Sequence, residues 1–336
     1  MPHDTTRLHH VGHIVEDLAE ASALYARLGF SVPPPSCPAM PRSVGGAPEP
    51  FGAANTHADF PDSFLELATH AQAGETGRLP TDTRLVPLEA PAEELQQLVE
   101  RIGETSAGLA AYLDRFQGLH ILMFSSPAID DAAARLTSAA VRHSGVNTVR
   151  RAAPSGADSP VETIRYLEID TQEPNTGTGA GTVPEGRVGI VTDLDPGIQS
   201  ARHLDHPNGA TGLAEATLCV ADEDLAATHH RYATYLDRRP RQEREGLVFD
   251  LDGAALRLIP ESALTATLPG EELTALPALV AYTVTVRDLP LTRDLLHRND
   301  IPLRETPTGD FFVPAKAALG TAVVFRAGCG VPLDHR

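Results

Sequence analysis

The chain has 336 residues, of which 42% are hydrophobic and 21% are charged, so it is long enough for two domains that each bury a core. Its formal net charge is −18, from 45 acidic and 27 basic residues. This acidity predicts that neither a nucleic acid nor an anionic membrane is a partner, because phosphate groups would repel the protein.

Localisation follows from what the sequence lacks. No apolar run approaches the roughly 20 residues that a membrane-spanning helix needs. The first residues, Met1 to Asp4, do not have the basic and apolar segments of a secretory signal. The cysteines at 37, 219 and 329 are too few and too scattered for a disulfide framework or a cysteine zinc site. We therefore expect a cytoplasmic protein.

The first predicted strand, residues 8–15, carries three histidines. Side chains alternate between the two faces of a strand, so Val11 and Val15 share one face and His10 lies on the other. A helix is predicted over residues 18–28, where apolar residues recur at helical spacing. If this helix packs on the valine face, His10 points to the uncovered side of the sheet.

A later strand, residues 63–69, adds an acidic group on the same side. Leu65 and Leu67 form its apolar face, which leaves Glu66 on the opposite face. Glu66 and His10 are then expected to converge on the uncovered side. An imidazole and a carboxylate are ordinary ligands of a divalent metal ion.

These elements resemble a module of a known superfamily. A strand with His10, a helix ending Leu28-Gly29-Phe30 and a last strand containing Leu65-Glu66-Leu67 resemble the βαβββ module of the vicinal oxygen chelate superfamily. That superfamily includes glyoxalases, bleomycin-resistance proteins and extradiol dioxygenases. In it the first-strand histidine and the last-strand glutamate bind a metal, so the resemblance assigns this role to His10 and Glu66.

The same order of elements recurs along the chain. It predicts an α+β protein of four βαβββ modules, paired into two domains with curved mixed sheets, at residues 1–200 and 205–330. The stretch His206-Pro207-Asn208-Gly209 also resembles a motif of glyoxalase-like domain proteins. The predicted modules are residues 7–70, 118–193, 212–260 and 278–327, with a helical linker at 91–116.

Two stretches rich in glycine or proline are predicted to be irregular. Residues 33–50 are either a lid over the site or a plain surface loop. Residues 175–181 lack the strand-to-helix context of a phosphate-binding loop, so we expect an ordinary hairpin loop there.

The resemblance places a further ligand on the first strand of the second module. His120 occupies the position that matches His10, although a slip of one residue would turn its side chain away. The fourth family position falls near Asp193, and no glutamate is present there. We therefore expect three protein ligands: His10, Glu66 and His120.

Two imidazoles and one carboxylate leave coordination positions open for substrate, as Fe(II) enzymes require, and would also suit Mn(II), Ni(II) or Zn(II). The resemblance implies a small-molecule substrate that binds the ion through two adjacent oxygens, and Lewis-acid stabilisation of the resulting anion. Ring-cleaving dioxygenation is the first expectation. Isomerase, lyase or epimerase chemistry would need a general base, for which His57 and Asp193 are the candidates.

A protein that binds drugs without a metal is the alternative from a different class. The clefts of such relatives are commonly lined by aromatic residues. This chain has no tryptophan and only 5% aromatic residues, which disfavours that alternative.

The last two modules lack the ligands. Glu215 stands where His10 stands, Arg257 stands where Glu66 stands, and Ala281 takes the first-strand position of the fourth module. Opposite charges in a partly buried groove are expected to pair with each other and to exclude a cation. The second domain is therefore predicted to be a degenerate copy that supports the first.

Overall fold

The computed structural model describes residues 3–41, 43, 45–71, 78–88, 91–152, 161–170 and 183–328. Cys329 and the predicted loop at 175–181 lie outside these residues. In the described part the strands of the N-terminal half are β1 (Arg7–Ile14), β2 (Ser36–Pro41), β3 (Pro48–Pro50), β4 (Gly52–Asp59), β5 (Phe64–Ala71), β6 (Arg84–Pro87), β7 (Gly118–Ser126), β8 (Asn147–Ala152), β9 (Val161–Glu168) and β10 (Arg187–Thr192).

The strands of the C-terminal half are β11 (Ala210–Val220), β12 (Arg241–Glu243), β13 (Gly246–Asp250), β14 (Ala255–Pro260), β15 (Ala278–Val286), β16 (Arg304–Glu305), β17 (Phe311–Val313) and β18 (Ala322–Ala327). The helices are α1 (Leu18–Arg27), α2 (Ala92–Arg115), α3 (Ile129–Ser138), α4 (Pro196–Ser200), α5 (Leu225–Leu236), α6 (Leu264–Thr267) and α7 (Leu289–Arg298).

The strands form one curved, unclosed mixed sheet, which confirms the predicted α+β class. In the described residues a first strand pairs in parallel with a last strand four times, as β1–β5, β7–β10, β11–β14 and β15–β18. The helices α1, α3, α5 and α7 follow the four first strands. First strands also pair with each other in antiparallel fashion, β1 with β7 and β11 with β15. The division into two domains near residues 200–205 stays a prediction.

Two of these helices begin with the same capping interaction. Asp17 accepts a hydrogen bond from the backbone N–H of Glu20 at the start of α1 (2.8 Å), and Asp288 accepts one from Leu291 at the start of α7 (2.9 Å). Each aspartate satisfies an N–H group that has no partner within its own helix. A strand, a capping aspartate and a helix therefore recur in that order.

The faces of β1 and β5 follow the predicted alternation. Val11, Val15, Leu65 and Leu67 are at most 2% exposed and belong to the main core, together with residues of α1. On the opposite face, α2 packs through Leu109 and its neighbours against part of the sheet. The rest of that face stays open, and the candidate site lies there.

Residues 33–50 form neither a helix nor a wall of that site in the part of the segment that is described. Strand β2 pairs with β3 in antiparallel fashion and with β6 in parallel, which extends one edge of the sheet.

A buried chain of hydrogen bonds joins the two halves of the protein. The Nε2 atom of His13 lies 2.7 Å from the carbonyl oxygen of Leu319, and its Nδ1 lies 2.9 Å from the hydroxyl of Tyr25. A carbonyl oxygen can only accept, so Nε2 carries the proton and Nδ1 of the neutral ring accepts from Tyr25. The Tyr25 oxygen then accepts from the hydroxyl of Tyr282 at 2.8 Å.

Burial keeps the rings of His13 and His120 neutral. Burial lowers the pKa of His13 to about 4, and the Leu319 carbonyl opposes this effect only in part. Burial likewise lowers the pKa of His120 to about 4, against the smaller opposite effect of the Phe116 carbonyl.

In the C-terminal half, Glu215 and Arg257 meet as predicted. Arg257 donates from Nε to one carboxylate oxygen of Glu215 (2.9 Å) and from Nη2 to the other (3.3 Å), and its Nη1 donates to Glu243. The strand registers place this pair in β11 and β14 as His10 and Glu66 are placed in β1 and β5. The positively charged guanidinium of Arg257 already occupies this groove, so a metal ion is excluded from it.

We expect the protein to lose stability as the pH falls from about 6.5 to about 4. The two buried histidines stay neutral in the folded chain over this range, whereas their unfolded forms, with a pKa of 6.5, take up protons. Each contributes stability that is fully present above pH 6.5 and is lost towards pH 4, amounting to roughly 3 kcal/mol.

Urea unfolding measured at a series of pH values checks this expectation. His13→Gln should reduce the dependence on pH by about one proton. His230→Gln, on the exposed surface of α5, is the matched control and should leave the slope unchanged. A wild-type unfolding free energy that stays constant from pH 7 to pH 4 would contradict the neutral, buried state of these rings.

We expect Arg257→Ala to destabilise the protein by about 3 kcal/mol, because the buried Glu215 carboxylate then loses its two hydrogen bonds to Arg257 and keeps only the more distant Arg326, at 3.6 Å. Metal binding in the N-terminal half should not change. Arg244→Ala is the control, since the Arg244 side chain is 93% exposed. Denaturant unfolding and metal analysis of the same samples measure both effects, and a loss of metal without a loss of stability would contradict the assignment of the metal to the N-terminal half.

Candidate metal and substrate site

The open face of the N-terminal half contains a cavity of about 510 Å³. Three titratable side chains meet on one of its walls. The Nε2 atom of His10 lies 3.9 Å from Glu66 Oε2, and the Nε2 atom of His57 lies 3.9 Å from Glu66 Oε1. These side chains are between 12% and 16% exposed, so the cluster is shielded from solvent but reachable from the cavity.

Strand pairing brings these three residues together. In the antiparallel ladder of β4 and β5, His57 lies directly opposite Glu66. In the parallel ladder of β1 and β5, His10 pairs with Phe64, two residues before Glu66 and on the same face. The ring of Phe64 stacks on His10 with centroids 4.3 Å apart and lies 4.5 Å from the ring of His57. Phe64 thus packs beneath both imidazoles.

Hydrogen bonds orient the cluster. Asn55 donates from Nδ2 to Glu66 Oε1 at 2.8 Å. The Nδ1 atoms of His9 and His10 lie 2.7 Å apart, so one of the two rings donates to the other there. Burial raises the pKa of Glu66, but the imidazoles of His57 and His10 and the Asn55 amide together outweigh it, and the pKa lies well below its usual range. Glu66 is therefore an ionised carboxylate at neutral pH.

The structure does not bring His120 to His10 and Glu66. The His120 ring stacks on Tyr112 of α2 with centroids 5.0 Å apart, and its Nε2 donates to the carbonyl oxygen of Phe116 at 2.7 Å. The side chain is fully buried against this helix. This placement corrects the expectation that His120 completes the ligand set.

The reason is a one-residue slip at a β-bulge. The ladder between β1 and β7 pairs His10 with Met123 and Gly12 with Ile121, and then skips His120. Helix α1 begins at Leu18, eight residues after His10, and α3 begins at Ile129, eight residues after Ile121, so Ile121 is the counterpart of His10. The match of His120 to His10 in the sequence is therefore wrong by one position, and the His120 side chain packs against α2 instead of facing the cavity.

The counterpart of Glu66 carries no ligand either. Glu66 pairs with Gly12 in the first parallel ladder, and Gly189 pairs with Met123 in the second. A β-carbon on Gly189 would lie 2.4 Å from the backbone oxygen of Leu167 and 2.8 Å from the Met123 sulfur, so there is no room for a side chain. The second repeat therefore contributes apolar walls where the first repeat contributes His10 and Glu66.

Asp193 lies at the rim of the cavity rather than in the cluster. Its side chain is exposed, and its backbone N–H lies 3.3 Å from the carbonyl oxygen of Ser126. Asp195 lines the same rim and caps α4. The structure thus brings His57 to Glu66 but leaves Asp193 at the entrance.

Arg187 is a cavity residue that the sequence analysis missed. It faces the cavity from the start of β10, and Glu168 on β9 accepts hydrogen bonds from its Nε (2.7 Å) and its Nη2. The only signal in the sequence is an arginine at the end of an otherwise apolar strand, and such a residue is usually a solvated strand end.

The donors on this wall match a divalent metal in chemical type. Two imidazoles and one carboxylate form an ordinary ligand set for Fe(II), Mn(II), Ni(II) or Zn(II). Within the described ranges, however, no three His, Cys, Asp or Glu side chains are placed so that they could hold a metal ion. His10, His57 and Glu66 carry donor atoms of the right chemical type, but their side chains are not in ligating positions.

Solved structures share this fold. A hypothetical protein from Staphylococcus aureus matches with a TM-score of 0.56 and 10% identity, over 96% of this chain and 99% of that chain. A mutant of 4-hydroxymandelate synthase from Streptomyces coelicolor matches with a TM-score of 0.51 and 12% identity, over 97% of this chain and 94% of that chain. At such identities the likeness shows the fold alone. No curated protein matches the chain.

In the described part of the chain, none of the helices combines the length and the apolar character needed to cross a membrane. A family model described as "Glyoxalase-like domain" matches residues 8–236, which is more than half of the chain. The chain therefore belongs to the glyoxalase-like domain family, within the vicinal oxygen chelate superfamily.

Proposed function

We propose that the protein is a metal-dependent enzyme that binds a small substrate through two adjacent oxygens, with ring-cleaving dioxygenation as its reaction. The observation that carries the proposal is the convergence of His10, His57 and Glu66 on one wall of a cavity large enough for a small molecule. In this proposal His57 takes the place that the sequence analysis gave to His120. Fe(II) is the first choice of ion, because two imidazoles and one carboxylate leave positions open for substrate.

The ion, when bound, would supply Lewis-acid stabilisation of the anion formed by two adjacent substrate oxygens. The protein's own contribution is to position the donors. Asn55 holds one oxygen of Glu66, and the stacked ring of Phe64 limits the rotation of His10 and His57. The hydrogen bond between the Nδ1 atoms of His9 and His10 holds the His10 ring in an orientation that directs its Nε2 towards Glu66.

The cavity itself supports an aromatic or similarly flat substrate. Met123, Ile164, Tyr166 and Val191 give the cavity an apolar surface away from the histidines, next to polar residues that include Arg187. Apolar walls exclude water and strengthen the electrostatic interactions between the ligands and the substrate oxygens.

We expect the purified protein to bind about one divalent ion per chain. His10→Ala and Glu66→Gln should each abolish this binding, and His57→Ala should weaken it at least about tenfold, because each removes one of few donors. His120→Gln is the matched control and should keep full metal content. Elemental analysis after reconstitution measures the stoichiometry, and circular dichroism confirms that each variant is folded. Metal retained in folded His10→Ala, or lost in folded His120→Gln, would refute the ligand assignment.

We also expect Fe(II)-loaded protein to bind catechol, which has adjacent hydroxyl groups, and not resorcinol, in which they are separated. Only adjacent oxygens can occupy two neighbouring positions on one ion. Calorimetry measures binding without dioxygen, and an oxygen electrode then measures whether one dioxygen is consumed per catechol cleaved. Equal affinity for the two diols would argue against adjacent-oxygen binding, while binding without oxygen uptake would remove the dioxygenase reaction.

A further inference from the structure

We infer that Arg187 is the anion-binding side chain of this cavity, and that the substrate carries one negatively charged oxygen group, such as a carboxylate. This inference rests on the proposed function, because it assumes that the substrate's adjacent oxygens lie at the wall formed by His10, His57 and Glu66. It adds the chemical class of the substrate, a small organic acid.

Position is the first support. Arg187 pairs with Ile121 in the ladder of β7 and β10, as Phe64 pairs with His10 in the ladder of β1 and β5. Because Ile121 is the counterpart of His10, Arg187 is the counterpart of Phe64. The cavity therefore has the three candidate metal ligands in its first repeat and a guanidinium in its second, and one ligand can contact both walls.

The second support is the way in which Arg187 is held. Its Nε and Nη2 both donate to a single oxygen of Glu168, and in the part of the chain that is described its Nη1 has no protein partner. The side chain is 30% exposed while it lines the cavity. Glu168 therefore fixes the orientation of the guanidinium and leaves a charged donor for a ligand, which suits an oxyanion.

Charge around the cavity limits what this anion can be. Among the described residues that line the cavity, Arg187 is the one Lys or Arg, so an anionic group has one place to bind. Glu162 lies 3.4 Å from Arg202, which is closer to Asp59 at 2.9 Å, so its negative charge is offset only in part. Asp193 and Asp195 are exposed at the rim. These rim carboxylates are screened by water, yet they would repel a ligand of high charge. A singly charged carboxylate fits better than a phosphate or a nucleotide.

The negative charge of Glu66 does not prevent an anion from binding at Arg187. In the proposed function a divalent ion is bound beside Glu66, and Glu168 neutralises Arg187. The inner cavity then carries one positive charge in excess, which an organic acid would neutralise.

Calorimetry with a matched pair of probes tests the inference. The probes are 3,4-dihydroxybenzoate and 3,4-dihydroxybenzamide, which have the same adjacent oxygens and differ in the charge of one group. We expect the metal-loaded wild type to bind the acid about tenfold more tightly than the amide, or better, as a charge-assisted hydrogen bond would give. The double variant Arg187→Gln with Glu168→Gln should bind the two probes equally, with the affinity for the amide changed by less than about threefold.

The double variant is used because it removes both charges together and leaves no buried carboxylate unpaired. Arg187→Lys keeps the positive charge but loses the planar guanidinium with its several N–H donors, so it should retain part of the preference for the acid. The matched control removes an exposed pair instead, through Arg165→Gln with Asp130→Asn, and should keep the full preference. Circular dichroism establishes that each variant is folded.

The outcomes separate this inference from the proposed function. Equal binding of acid and amide by the wild type would overturn the role of Arg187 and leave adjacent-oxygen binding intact. A preference for the acid that persists in the double variant would also overturn it. If the protein binds neither metal nor diols, the proposed function fails. The affinities for benzoate and benzamide, measured in the presence of EDTA, then test the role of Arg187 separately. A preference for benzoate that the double variant loses supports the anion site, and no preference or no binding overturns it.

Discussion

The structure of the N-terminal half depends on one strand that is hydrogen-bonded along both edges. Strand β1 pairs in parallel with β5 and in antiparallel fashion with β7. The second pairing is close, since a β-carbon on Gly12 would lie 2.6 Å from the side chain of Ile121. With both edges engaged, the register of β1 cannot shift without breaking two ladders. The period-two alternation then holds His10 on the open face and Val11 in the core.

Because β1 is fixed in this way, its two faces serve different purposes. The core face includes His13, which is hydrogen-bonded to Tyr25 and, through it, to Tyr282 of the C-terminal half. The open face carries His10 beside Glu66. The strand therefore joins the packing between the halves to the geometry of the candidate site.

The C-terminal half shows how the same fold responds when the ligands are absent. Glu215 and Arg257 neutralise each other where the N-terminal half has His10 and Glu66. The cavity there measures about 100 Å³, against about 510 Å³ in the N-terminal half. An ion pair with two parallel hydrogen bonds satisfies the buried polar groups without a ligand. That this half supports the N-terminal half rather than binding substrate stays a prediction.

Much of this could be predicted from local pattern. The alternation of β1 and β5 was sufficient to place His10 and Glu66 on one face, and the same reasoning placed Glu215 against Arg257. The helical spacing of apolar residues located α1. Such features depend on residues near one another in sequence, or on a strand's fixed period of two, so they are determined before the chain folds completely.

Only the tertiary structure decided the rest. A β-bulge places His120 against α2, and a bulge is set by how two distant strands fit together, which no local pattern records. His57 joins Glu66 because β4 lies opposite β5 in one particular register. Arg187 faces the cavity because β10 pairs with β7 and because Glu168 holds its guanidinium. The sequence by itself determined which side chains of β1 and β5 face away from the core. The pairing of distant strands decided which side chains lie together at the candidate site.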